Sequence, residues 1–157
     1  MLLAAGQYAG CIFVHPKGIV LRPTYFVFDL YANHLGDVVL DDWCAGGDTV
    51  TVADPSGADV TVPALDVLST TWEDGHAVAL AVSSRDRARA HGMEISLDEL
   101  APHGKVTMLT LNGPSEESYN DIGHTDVSIA TRDLGAYHPG MRVDVDPHSV
   151  NIIEIQR

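Results

Sequence analysis

The feature that most constrains this chain is how often it is interrupted. Its 157 residues include 14 glycines and 8 prolines, spread along the whole length. Pro fixes φ and Gly accepts positive φ, so both residues end regular structure and favour turns. Between the interruptions lie short apolar runs at 12–14, 19–21, 38–40, 49–53, 60–62, 65–72, 77–83, 93–97, 106–111, 141–145 and 150–155. Several have the period of two expected of a half-buried strand. Met93, Ile95 and Leu97 point one way, Leu80 and Val82 alternate with small residues, and 49–53 alternates β-branched ones. His15-Pro16-Lys17-Gly18, Pro55-Ser56-Gly57 and Asp74-Gly75 supply turns, the last suited to a tight type I′ hairpin. The pattern predicts a mainly β chain, an antiparallel sandwich of about eight strands.

One segment breaks this rhythm. Over 23–35 the apolar residues Phe26, Val27, Leu30 and Tyr31 fall on one helical stripe. Pro23 stands where a first turn tolerates it, and Gly36 where a helix stops. A helix of roughly three turns is therefore expected before the sandwich. Its stripe needs a large partner: either the sandwich itself or a layer outside this chain.

Charge narrows the function classes. The formal charge is −13, from 22 acidic and 9 basic residues. Such a surface repels nucleic-acid phosphates and anionic membranes, while neutral sugars meet no repulsion. The two cysteines, Cys11 and Cys44, form no Cys-x-x-Cys motif and make no disulfide framework. Reduced thiols and a cytoplasmic location are expected. Residues 1–14 are fairly apolar, and Tyr8-Ala9-Gly10-Cys11 is superficially like a lipoprotein cleavage site. No Lys or Arg precedes that stretch and it is too short to span a bilayer, so no targeting or membrane segment is expected.

Chemistry-bearing motifs are sparse. There is no Gly-x-Gly-x-x-Gly, no phosphate-binding loop ending in Gly-Lys-Ser/Thr, and no Gly-x-Ser-x-Gly elbow. Ser56 lies in a turn, and Cys44 has no nearby histidine, so both read as structural. Among eight histidines, His124 with Asp121 and Asp126 is the best local set for a divalent ion. Side-chain pinning of a polar loop explains the same residues. Glycoside hydrolysis needs two carboxylates held across the sugar by a rigid scaffold. The acidic pairs Glu73-Asp74, Glu116-Glu117 and Asp144/Asp146 fall in a turn, in the polar loop 113–126 and on the solvent side of a strand, so all three are expected to be solvated. Trp43, Trp72, Tyr119 and Tyr137 are the aromatic candidates for stacking on sugars, with core or edge packing as the competing role.

Several motifs together carry a family likeness. His15-Pro16-Lys17-Gly18-Ile19-Val20-Leu21-Arg22-Pro23-Thr24-Tyr25 and Val27-Phe28-Asp29-Leu30-Tyr31-Ala32-Asn33-His34 resemble the end of the catalytic barrel in family-51 α-L-arabinofuranosidases, the loop after the last strand and the last helix. Ala81-Val82 with Arg85-Asp86, Leu111-Asn112-Gly113-Pro114 with Tyr119-Asn120-Asp121, and Pro147-His148-Ser149-Val150 resemble that family's C-terminal sandwich. The likeness runs over residues 12–155. It implies retaining removal of terminal α-L-arabinofuranosyl groups from arabinan or arabinoxylan oligosaccharides, by two barrel glutamates and without metal or other cofactor. It also implies an association with the catalytic barrel and a possible homo-oligomer.

The departures set the expectation for this chain. A complete barrel takes about 250 residues, and neither catalytic glutamate has a counterpart here. Pro23 stands where members carry a polar, sugar-facing residue, Ser83-Ser84 where Val-Asn is usual, and Thr125 where Pro is expected. Residues 1–36 then read as the remnant of a barrel end and 37–157 as the sandwich domain. No catalytic, cofactor-binding or metal-binding residue is assigned. The resemblance makes the chain a non-catalytic structural or assembly domain, with a free-standing carbohydrate-binding module as the alternative. Left without its barrel, the stripe is expected to expose Phe26 and Leu30 and promote association.

Overall fold

The turn chemistry places most of the strands. In this computed structural model, residues 10–53, 57–97 and 103–157 are described. In chain order they form β1 (Ile12–His15), β2 (Gly18–Leu21), α1 (Pro23–His34), β3 (Val38–Val39), β4 (Thr49–Ala53), β5 (Asp59–Pro63), β6 (Leu65–Thr71), β7 (Ala77–Ser84), β8 (His91–Ile95), β9 (Lys105–Asn112), β10 (Asn120–Asp121), β11 (His124–Thr125), β12 (Ser128–Ala136), β13 (Met141–Val145) and β14 (Val150–Gln156). Every strand pairing among them is antiparallel. The fold class matches the expectation from sequence, with more and shorter strand segments than about eight.

The main sheet has six strands in the order β12-β9-β14-β7-β6-β3. Its central strands bury both faces, and alternation along them sorts the side chains into two cores. Val78, Leu80 and Val82 of β7, Val106 and Met108 of β9, and Ile153 and Ile155 of β14 face the β8–β13 hairpin. That hairpin answers with Ile95, Met141, Val143 and Val145, closing the sandwich. The opposite face presents Ala79, Ala81, Leu111 and Ile152, and α1 lies on it through Leu30, with Phe26 and Val27 beside it.

Leu30 of α1 shares this helix-side core with Ala79 and Ala81 of β7, Leu111 of β9 and Ile152 of β14. Leu30 is 0% exposed. Burying a leucine stabilises by roughly 1.5–3 kcal/mol. His34 Nδ1 then reaches Glu154 Oε1 of β14 at 2.6 Å, tying the last helical turn to the same face. Gly36 follows because a Cβ there would lie 2.2 Å from the backbone carbonyl carbon and oxygen of Thr71. Close approach, rather than a left-handed cap, is what position 36 needs.

Three expectations change. The helical stripe does not leave Leu30 open; it turns Leu30 and much of Phe26 into the sheet. Asp74-Gly75 is not a two-residue hairpin loop, since the connection spans 72–76, with Gly75 at φ 64 closing a turn onto the Trp72 carbonyl. The run at 93–97 shifts to His91–Ile95. Pro55 and Ser56 of the expected Pro55-Ser56-Gly57 turn lie outside the described residues.

Candidate functional site

Two surfaces around α1 stand out. The first is apolar. A helix lying on the surface of a soluble protein carries polar residues opposite its buried stripe. Here the outer side of α1 instead presents Phe28, 68% exposed, and Tyr31, 37% exposed. The preceding β1–β2 hairpin does the same. Ile12 pairs with Leu21 and Val14 with Ile19, so these four share one hairpin face, and Ile12, Val14 and Ile19 are exposed on it. The other face turns Val20 inward. Arg22 joins hairpin to helix: its amide donates to the Cys11 carbonyl, and its guanidinium lies 5.4 Å from the centre of the Phe13 ring.

The second surface is a recess of about 400 Å³ between β2, Phe26 and the 120–125 turn. Asn120 builds it. Its Nδ2 donates to the carbonyls of Leu21 and Val127, and its Oδ1 accepts the amides of Asp126 and Val127. One buried amide thus fixes the β10–β11 turn against β2. Lys17, Ile19, Asp121, Ile122 and Thr125 line the space.

The residues singled out from sequence do not converge. Asp121 and His124 pair across β10 and β11, and His124 Nε2 lies 2.9 Å from Asp126 Oδ2, poorly aligned for a hydrogen bond. Asp121 Oδ1 accepts the Ile122 amide. Among the described residues no three His, Cys, Asp or Glu side chains are grouped to hold a metal ion. Glu73 and Asp74 are exposed in the β6–β7 turn, where the His76 side chain holds Asp74 below the usual carboxylate range. Glu116 pairs with Arg87 at 2.9 Å, Glu117 is exposed, and Asp144 and Asp146 point to solvent from β13 and just beyond it. Cys44 is exposed.

The aromatics divide. Trp43 is 89% exposed, and Tyr119 is exposed while stacked 4.5 Å from His124. Trp72 packs beside the helix-side core. Tyr137 is buried, and its hydroxyl accepts the Leu97 amide at 2.9 Å.

Asp86 is the residue whose part sequence reasoning missed. It sits in what reads as a polar loop, yet it is buried. Its Oδ1 accepts the amides of Ala88 and Arg89, and its Oδ2 faces Arg89 Nε and His91 Nε2. The Ala88 amide, with His91 and Arg89 behind it, holds the Asp86 carboxyl well below its ordinary value. The Asp86 carbonyl also accepts the His148 amide, so the β7–β8 loop is bonded to the turn before β14. The signal was the Arg85-Asp86 motif itself, which marks a pinned loop rather than a reacting group.

Comparison with known proteins agrees with this architecture. Residues 5–149 match the family model described as the α-L-arabinofuranosidase C-terminal domain. An arabinose complex of α-L-arabinofuranosidase from Thermotoga maritima superposes with a TM-score of 0.80 at 23% identity, covering 94% of this chain and 32% of that one. The family-51 enzyme from Thermotoga petrophila gives 0.78 at 24% identity, covering 94% and 31%. The family-51 enzyme from Xanthomonas axonopodis pv. citri gives 0.68 at 20%, covering 93% and 28%. The chain thus spans about a third of the length of these proteins. No curated protein matches it in sequence. A sheet covered by one helix, the pinned loops that carry the motifs and the match over residues 5–149 lead to one conclusion: this chain belongs to the α-L-arabinofuranosidase C-terminal domain family.

Proposed function

We propose that this chain acts as a non-catalytic domain that docks on the catalytic barrel of a family-51 α-L-arabinofuranosidase and supports its fold and assembly. One observation carries the reading: α1 has apolar side chains on two sides, and the sheet covers only one. Phe28 and Tyr31 face outward from a chain whose formal charge of −13 otherwise favours solvent. Exposed aromatic side chains on a helix's outer side mark an interaction surface, and a barrel's last helix has the sandwich on one side and barrel neighbours on the other. The exposed Ile12, Val14 and Ile19 extend the argument to the hairpin before α1. On this reading the boundary between barrel end and sandwich falls at residue 36. The exposed, scattered acidic pairs offer no scaffolded pair for glycoside hydrolysis, so the carboxylates would come from the barrel, as would contact with arabinose-containing substrates.

Sedimentation velocity over a concentration series tests this. The chain alone should self-associate weakly. Phe28→Asp should abolish that, as should a family-51 barrel added as a separate chain. Self-association unchanged by both would overturn the docking surface.

A further inference from the structure

His91 is a buried titratable side chain that the docking reading does not use. It opens β8, and each of its ring nitrogens faces a carboxylate. Nε2 lies 2.9 Å from Asp86 Oδ2, and Nδ1 lies 3.2 Å from Asp48 Oδ2. The two partners differ. Asp86 is buried in the β7–β8 loop and also accepts the Ala88 and Arg89 amides. Asp48 stands just before β4 with its side chain 69% exposed. No other charge meets the ring directly: Arg89 reaches it through Asp86, and the residue opposite it on β13 is Val145. Asp144, the next residue on β13, pairs with Gly92 and points to solvent. A neutral imidazole carries one N–H and can donate to one carboxylate, whereas the imidazolium donates to both. When the ring loses a proton, buried Asp86 keeps the remaining N–H. Asp48 then faces a nitrogen lone pair, and water is its better partner.

What Asp48 holds is the root of the β4–β5 hairpin. That hairpin is a two-stranded sheet of its own, and most of its side chains are exposed. Its far end runs through Ala64 into β6, where the Arg85 amide donates to the Ala64 carbonyl. Its near end has less to hold it. The Ala64 amide donates to the Asp48 carbonyl, and among the described residues the contact with His91 is the one side-chain hydrogen bond or ion pair made by residues 43–48. Gly46 and Gly47 precede it with open space around both. We propose that His91 is a proton-operated clasp: the imidazolium binds the root of the β4–β5 hairpin to the sandwich through Asp48, and the neutral ring keeps Asp86 and lets that root go. Segments with exposed backbone and few buried contacts are the ones that open locally. The clasp lies outside the α1 surface, so it stands or falls apart from the docking reading.

The test is amide hydrogen exchange of the 157-residue chain followed by NMR from about pH 5.5 to about pH 8.5, which spans the ordinary histidine range. Protection factors are compared, because they divide out the intrinsic pH dependence of exchange, and the His91 ring nitrogen shifts report its protonation. As the ring loses its proton, protection over 49–53 should fall about fivefold, the loss of one partly exposed ion pair. Protection in β14 should not change. Asp48→Ala alters an exposed side chain and leaves the core intact, so the variant should fold and show the lower protection at both ends of the range. Three results overturn the proposal: protection over 49–53 that ignores the state of the ring, a loss that β14 shares, or an unaltered pH dependence in Asp48→Ala.

Discussion

Truncating Leu30 separates the two sides of α1. Leu30 is 0% exposed and sits on Ala79, Ala81 and Ile152, whereas Phe28, two residues away, is 68% exposed. Leu30→Ala removes a fully buried side chain from above a rigid six-stranded sheet that cannot collapse into the space. Such truncations cost about 2–5 kcal/mol, and for a fully buried leucine about 3 kcal/mol is expected. Phe28→Ala in the isolated chain should change stability by less than about 0.5 kcal/mol. In a domain of this size each kcal/mol moves the melting temperature by roughly 2–4 °C, so Leu30→Ala should melt about 6–12 °C lower. Urea unfolding followed by circular dichroism gives the free energies, with an unchanged slope showing that the unfolded reference is the same. Equal losses for the two variants, or a Leu30→Ala loss below about 1 kcal/mol, would mean that α1 is not docked on the sheet and would refute the two-sided helix.

Other consequences follow from the same packing. Gly36→Ala places a Cβ against the Thr71 backbone and should cost about 1–3 kcal/mol, read by thermal unfolding. Tyr137→Phe leaves the Leu97 amide without its acceptor and should cost about 1–2 kcal/mol in the same assay. Asp86 and Asp133 both have carboxyls held below their ordinary value in the folded state, Asp86 chiefly by the Ala88 amide and Asp133 by the Gly135 amide with Lys105 behind it. A depressed folded value gives stability that is full above the unfolded value of 3.8 and is lost as pH falls below it. Acid unfolding should therefore steepen below about pH 4, and Asp86→Asn should flatten that limb.

Strands with a clear period and strong turns were legible. The segments 49–53 and 141–145 coincide with β4 and β13, and α1 ends within a residue of the expected stop. β12 was not legible, because it is an edge strand with one neighbour and mostly exposed side chains, including Arg132 and Asp133. Without a buried face there is no alternation to read. The direction of the helix stripe was equally hidden. Apolar residues at 26, 27, 28, 30 and 31 cover more than one side, and the side that is buried meets residues as distant in sequence as Ala79, Leu111 and Ile152. The recess depends on Asn120 reaching Leu21 across 99 positions, a contact that no local pattern announces. Two of the motifs that carried the family resemblance hold loop pins, Asp86 and Asn120. A pin is recognisable as a motif without disclosing its role.

Under the proposed docking role, this chain supports glycoside hydrolysis without performing it. The most direct measurement is turnover of an aryl α-L-arabinofuranoside by the purified chain, beside a full-length family-51 enzyme. The chain alone should give no turnover. Turnover that co-purifies with the chain and disappears when one of its own acidic residues, such as Glu116 or Asp144, is replaced would contradict it.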